Sequence, residues 1–168
     1  MASFKHMRSS IITISLFTIF LLVQSAVGQS GYVTYYNSRF EYSIKYPTKV
    51  FVPQEPSWTG DGRIFLAQDG AEMRVWGQYN FLFDTLKKAY ISDLKERGPG
   101  VTYKVLLSDS YVISGIKNGK VYYQKTILNG TEGDSSAVFA TFTIEYRKSD
   151  KALYDPIVTK IAASFKFD

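Results

Sequence analysis

Residues 110–128 read SYVISGIKNGKVYYQKTIL, and the Asn118-Gly119 pair at their centre leaves this stretch little choice of shape. Two runs rich in β-branched and aromatic side chains flank the pair. A two-residue type I′ turn needs positive φ at both central positions, which Asn and Gly accept, and its twist matches that of paired strands. A β-hairpin is therefore expected here, and the rest of the chain must supply strands to join it. RFEYSIKY does so, with Phe40, Tyr42, Ile44 and Tyr46 alternating with polar residues until Pro47 stops the ladder. Residues 48–62 hold Pro53, Pro56, Gly60 and Gly62 and read as a loop. RIFLAQ and EMRVWGQY follow as two strands joined at Asp69-Gly70, while Asp61-Gly62 leads into the first of them. In the second, Met73, Val75 and Tyr79 share one face, and Glu72, Arg74, Trp76 and Gln78 the other. VTYKVLLS adds a strand before the hairpin. Asn129-Gly130 opens a polar loop after it. AVFATFTIEYR, nearly without charge, reads as an interior strand covered on both faces.

The period changes in LFDTLKKAYISDLKERG. Leu82, Leu86, Ala89, Tyr90 and Leu94 recur at three- and four-residue steps, which predicts an amphipathic helix ended by Gly98 and Pro99. Its Lys87, Lys88, Lys95 and Arg97, mixed with Asp93 and Glu96, read as a solvated face. A closing helix is expected from an Asp155 cap with Pro156 at its first position, or from nearer Asp150, with Ile157, Ile161 and Phe165 on one side. Three strands, a helix, four strands and a helix give no β-α-β alternation. The fold class is α+β: a mainly antiparallel sheet of about seven strands with helices packed on it.

The first 28 residues belong to a different kind of segment. Lys5 and Arg8 precede the uncharged run IITISLFTIFLLV, and small residues Ala26 and Gly28 follow it. This is the pattern of a secretory signal peptide, with cleavage expected after Gly28. An uncleaved N-terminal anchor is the alternative, although the apolar run is shorter than the roughly 20 residues that span a bilayer. Removing 28 of 168 residues leaves 140, from Gln29 onward, which suits one domain over 29–168 and no membrane span after cleavage. The expected location is secreted or periplasmic. That mature chain carries 18 basic and 15 acidic groups, too even a balance for a nucleic-acid partner. The only His is His6, inside the leader, and there is no Cys. The mature chain therefore lacks the usual general base near neutral pH, the usual thiolate nucleophile and the preferred zinc and copper ligands. No catalytic residue, metal site or cofactor is expected.

Several phrases stand together in one order: NSRFEYSIKYP, DGRIFLAQDG, MRVWG, VTYKVL and IVTKIAASFK. With them the chain, from about residue 37 to 166, resembles the secreted bacterial branch of the PsbP-like superfamily. That fold is shared by the PsbP extrinsic subunit of photosystem II and the Ran-binding Mog proteins. The resemblance implies an α/β/α sandwich around an antiparallel sheet. It also implies accessory or docking roles rather than catalysis, and it transfers no catalytic residue.

Individual motifs add little chemistry. Ser92-Asp-Leu-Lys95 and Ser114-Gly-Ile-Lys117 both fit S-x-x-K, but neither has the partner motifs of a penicillin-binding site. Asp61, Asp69 and Glu72 could form a carboxylate group, although turn chemistry already accounts for both aspartates. Asn129-Gly-Thr131 is a sequon on a loop. Trp58, in the Pro/Gly loop, and Trp76, on the polar strand face, could form a recognition surface. Otherwise the loop folds over so that Trp58 covers Trp76, or a helix covers both. The expected function is an exported, non-catalytic domain binding another protein or a cell-envelope component through Trp58, Trp76, Asp61, Arg63 and Arg74. The alternatives are a small-ligand or glycan site in a cleft between sheet and helix, and a carboxylate-based hydrolase.

Overall fold

The computed structural model describes residues 31–82 and 84–168. The expected leader and its cleavage point lie outside the described residues. The strands are β1 (Tyr32–Asn37), β2 (Tyr42–Pro47), β3 (Val52–Pro53), β4 (Gly62–Leu66), β5 (Glu72–Tyr79), β6 (Val101–Leu106), β7 (Ser110–Lys117), β8 (Lys120–Asn129), β9 (Val138–Arg147) and β10 (Lys166–Phe167). Two helices, α1 (Leu86–Arg97) and α2 (Lys151–Ser164), interrupt them. Seven strands form one sheet in the order β3-β4-β5-β9-β8-β7-β6, and β1-β2-β10 form a second; the pairings are antiparallel. The α+β class expected from the sequence is what the chain adopts.

The hairpin at Asn118-Gly119 forms as its turn chemistry demands. Both residues have positive φ, 52° and 75°, and Lys117 pairs with Lys120. The charge-poor strand β9 takes the middle of the large sheet, where it is buried on both faces. Alternation then sorts its side chains. Ala140, Phe142 and Ile144 join Met73, Val75 and Phe65 on one face, against Tyr42 and Ile44 of β2 and Tyr154, Val158 and Ile161 of α2. The opposite face packs Tyr111, Ile113, Tyr122 and Phe139 against Leu86, Ala89, Tyr90 and Leu94 of α1. The layers are thus α2 with the small sheet, the large sheet, and α1.

Locally, the structure adds β1 and the two-residue strands β3 and β10, corrects two expected element starts and decides a third. β1 has no clean alternation and exists by pairing with β2 along its whole length. Phe40 and Glu41 form the turn between them, so β2 starts two residues later than the alternating pattern suggests. Leu82 is not in α1: Thr85 caps the helix by accepting from the Lys88 amide at 3.2 Å, and Leu82 is left 81% exposed. Of the two expected starts for α2, the one near Asp150 is found: the helix begins at Lys151, Asp155 is not its cap, and Pro156 lies inside it. The residues ahead of Pro156 are held helical by tertiary contacts: Tyr154 is 1% exposed in the main core. Among the described residues no helix is long and apolar enough to cross a membrane.

Candidate functional site

The loop before β4 is ordered from within. The Ser57 hydroxyl donates to the Asp61 carboxylate, and its oxygen accepts from the amides of Asp61 (3.1 Å) and Gly62 (3.2 Å). The Gly60 amide donates to the Ser57 carbonyl at 2.9 Å, and the Gly60 carbonyl accepts from Asn37 Nδ2 at 2.9 Å. The Arg39 guanidinium donates to the Thr59 carbonyl. The hydroxyl bond holds the Asp61 carboxyl below the usual carboxylate range, with a smaller contribution from Arg39. Trp58 sits in this braced loop and is 97% exposed. It does not cover Trp76, and neither the loop nor a helix covers it.

Strand register separates the other expected surface residues. Gly62 stands opposite Trp76, Arg63 opposite Val75 and Ile64 opposite Arg74. Opposed residues share a face, so Trp76 and Arg74 look toward the α1 side, whereas Arg63 lies on the side of the main core. The Arg63 guanidinium sits 6.0 Å from the Tyr35 ring centre and donates through Nε to the Gln54 carbonyl at 2.6 Å. Asp61, Arg63, Arg74 and Trp76 still border one shallow depression of about 200 Å³, but the Arg63 charge faces away from that of Arg74.

The three acids of the carboxylate group are apart and separately occupied. Asp61 takes the Ser57 bond. Asp69 accepts from the Tyr154 hydroxyl at 2.9 and 2.8 Å and from the Ala71 amide at 3.0 Å. Glu72 pairs with Arg74. Glu72 also lies four strand positions from Trp76, which is roughly 13 Å. Among the described residues no cluster of three or more His, Asp or Glu is suited to a metal ion. The Ser114 hydroxyl is used up on the Tyr122 carbonyl at 2.7 Å.

A larger concavity lies elsewhere. α1 packs on β6 and β7 and reaches Tyr122 and Leu128 of β8 and Phe139 of β9, leaving a hollow beside it toward β5. The result is a groove of about 470 Å³, bordered by Trp76, Phe81, Asp93, Arg97, Gln124 and Thr141. Its floor is polar. Gln124 and Thr126 of β8 and Thr141 and Thr143 of β9 are each 8% exposed or less, and the Thr126 and Thr141 hydroxyls bond to each other at 2.8 Å. One wall is an ordered network. Arg97 donates to Gln124 Oε1 at 3.2 and 2.7 Å; Gln124 donates to Asp93; and the Tyr111 hydroxyl donates to Asp93 at 2.5 Å. Burial first, and then the Asp93 bond, pushes the Tyr111 phenol well above its ordinary range. Arg97 also stacks on Tyr122 at 4.8 Å and approaches Glu145 at 3.8 Å. It also borders two adjoining hollows, one with Arg74, Trp76 and Glu145 and one with Lys117 and Lys120. At the groove's opposite end Phe81 and Leu82 stand 72% and 81% exposed.

The sequence suggests a cleft between sheet and helix but assigns none of these residues to it, because Asp93 and Arg97 read as a solvated face. Two signals pointed to it. Leu86, Tyr90, Asp93 and Arg97 follow a single helical stripe, and Gln124, Thr126, Thr141 and Thr143 fall in one strand phase.

With fold and groove described, the class of the domain is defined: an antiparallel-sheet α+β domain with a polar groove between helix and sheet. No protein-family model and no curated protein sequence matches the chain. Solved structures do. Cyanobacterial PsbP (CyanoP) from Synechocystis sp. PCC 6803, a solution structure, is 11% identical, with 85% of this chain and 96% of that one aligned at a TM-score of 0.59. The Ran-binding protein Mog1p of Saccharomyces cerevisiae is 10% identical over 81% of this chain and 95% of its own, at a TM-score of 0.46. LpqN of Mycobacterium tuberculosis, involved in cell envelope biogenesis, is 11% identical over 84% and 86%, at 0.37. The fold is therefore PsbP-like, as the sequence resemblance implied. The first likeness speaks for the fold alone, and the other two are too distant to carry an argument.

Proposed function

We propose that this chain is an exported, non-catalytic accessory domain that binds another protein or a cell-envelope component. The Trp58 loop provides the contact, together with the adjoining surface of Asp61, Arg63, Arg74 and Trp76. Secretion or delivery to the periplasm follows from the leader pattern in residues 1–28. One observation carries the reading: Trp58 is 97% exposed in a loop braced at Ser57, Thr59, Gly60 and Asp61. Leaving a large apolar side chain in water forgoes roughly 2–3 kcal/mol of burial. A braced loop that presents one is suited to a partner that supplies the missing contact. The non-catalytic part of the reading is supported by the engagement of Asp61, Asp69 and Glu72 with structural partners.

A photo-crosslinking residue at position 58 of the exported chain tests this in the native envelope. The expected result is a discrete adduct at position 58 that is absent when the same residue replaces Lys49, another exposed site. Identical patterns at both positions, or none at 58, would remove the proposal. N-terminal sequencing of the exported form should begin at Gln29.

A second reading, a small-ligand or glycan site, is favoured by the groove between α1 and the sheet.

A further inference from the structure

We infer that the groove binds a neutral linear oligosaccharide, with one sugar ring stacked on Trp76. This rests on the second reading above and commits it to a ligand class.

Shape is the first argument. The groove and the hollow adjoining it at Trp76 and Arg97 follow β9 from Phe139 to Glu145, six strand positions or roughly 20 Å. A ligand that fills both is elongated. The second argument is the platform. Trp76 borders the groove, the adjoining hollow beside Arg74 and Arg97, and the depression beside Asp61, so space opens on several sides of the indole. Its cross-strand neighbours are short: Gly62 on one side and Thr141 on the other. A Cβ at Gly62 would lie 2.8 Å from the Trp76 Cβ, so the site depends on that glycine. An indole flanked by low neighbours offers its face to the apolar C–H surface of a pyranose.

The third argument is the polar chemistry. Thr141, Gln124 and Asn80 are bonded within the protein, so the side chains left to a ligand are two hydroxyls and an amide, those of Thr143, Ser92 and, toward one end, Gln78. These groups both donate and accept, which matches sugar hydroxyls. An extended peptide would instead need unpaired backbone groups, and on this sheet face they are already bonded within the ladder. Charge narrows the class further. Acidic and basic groups mix along the groove and the adjoining hollow, with Asp84, Asp93, Glu96 and Arg97 at one end and Glu72, Arg74 and Glu145 at the other. A uniformly charged polymer meets like charges at either end whichever its sign, so a neutral chain fits best.

The test is an array of immobilised neutral and charged linear oligosaccharides, probed with the exported chain and followed by calorimetry on soluble binders. Neutral oligosaccharides should bind, with affinity rising with chain length until the groove is filled. Trp76→Ala should weaken binding at least tenfold, Trp76→Phe should restore part of it, and Lys49→Ala should leave it unchanged. Absence of binding to every neutral oligosaccharide, or binding indifferent to Trp76→Ala, overturns the inference. A parallel thermal-shift screen with non-sugar polar compounds separates the two levels. A shift lost in Trp76→Ala, without any sugar binding, keeps the small-ligand reading and sinks the oligosaccharide. Silence in both assays sinks both.

Discussion

Asp93 is where sequence and structure make opposite forecasts, so replacing it discriminates between them. On a solvated helix face, Asp93→Ala would change stability by less than about 0.5 kcal/mol. In the structure its carboxylate accepts from the Tyr111 hydroxyl and from Gln124, residues that are 2% and 5% exposed. A hydrogen bond to a charged acceptor contributes about 1.5–3 kcal/mol, and deleting the acceptor strands two buried donors. The groove lets water reach part of Gln124, which discounts its share. The expected cost of Asp93→Ala is therefore about 2–4 kcal/mol out of a total stability on the order of 5–15 kcal/mol. That corresponds to a fall in Tm of roughly 6–12 °C for a domain of this size. Urea unfolding with an unchanged m-value is the assay. A double-mutant cycle with Tyr111→Phe should return a coupling of about 1–2 kcal/mol, because the phenyl ring keeps its packing and loses only the bond. Asp93→Asn, which retains one acceptor oxygen, should fall between wild type and Ala. A wild-type midpoint for Asp93→Ala, or strict additivity in the cycle, would refute the network and return the residue to solvent.

Three further outcomes follow from geometry. Gly77→Ala drives a Cβ to within 2.7 Å of the Phe40 ring, so overpacking should cost about 1–3 kcal/mol in urea unfolding. Trp58→Ala should leave Tm unchanged in thermal unfolding, because a side chain 97% exposed gives the fold no packing. The Ser57 hydroxyl depresses the Asp61 carboxyl. The folded value therefore lies below the unfolded one, and the contribution of Asp61 is present above the ordinary carboxylate range. It is lost as pH falls through the depressed value. Hydrogen exchange at residues 57–62 should accelerate over that acid range in wild type. In Asp61→Asn the acid-dependent step should be missing.

Much of the scaffold was legible because its signals are local. Asn118-Gly119 needs only its own two φ angles to turn the chain, and the uncharged run of β9 reports burial on both faces wherever that burial occurs. β1 and the two-residue strands were not legible, since their reason for being strands is a partner elsewhere in the chain: β2 for β1 and β10, and β4 for β3. The same limit hid the start of α1 and left that of α2 open between Asp150 and Asp155. Thr85 outcompetes the apolar stripe that includes Leu82, and core burial of Tyr154 extends α2 to the N-terminal side of Pro156.

The candidate surface divides along the same line. The amino-acid sequence alone determined that a leader-like segment precedes a chain without imidazole or thiol, and that Trp76 and Arg74 share a polar strand phase. Only the tertiary structure decided that α1 sits over β6 and β7 with a hollow between it and β5, that Asp93 and Arg97 turn inward, and that Trp58 remains in water. The physical reason is that periodicity specifies which side of an element is apolar or polar. What comes to rest against that side depends on how distant elements pack, and a groove is the space their packing leaves.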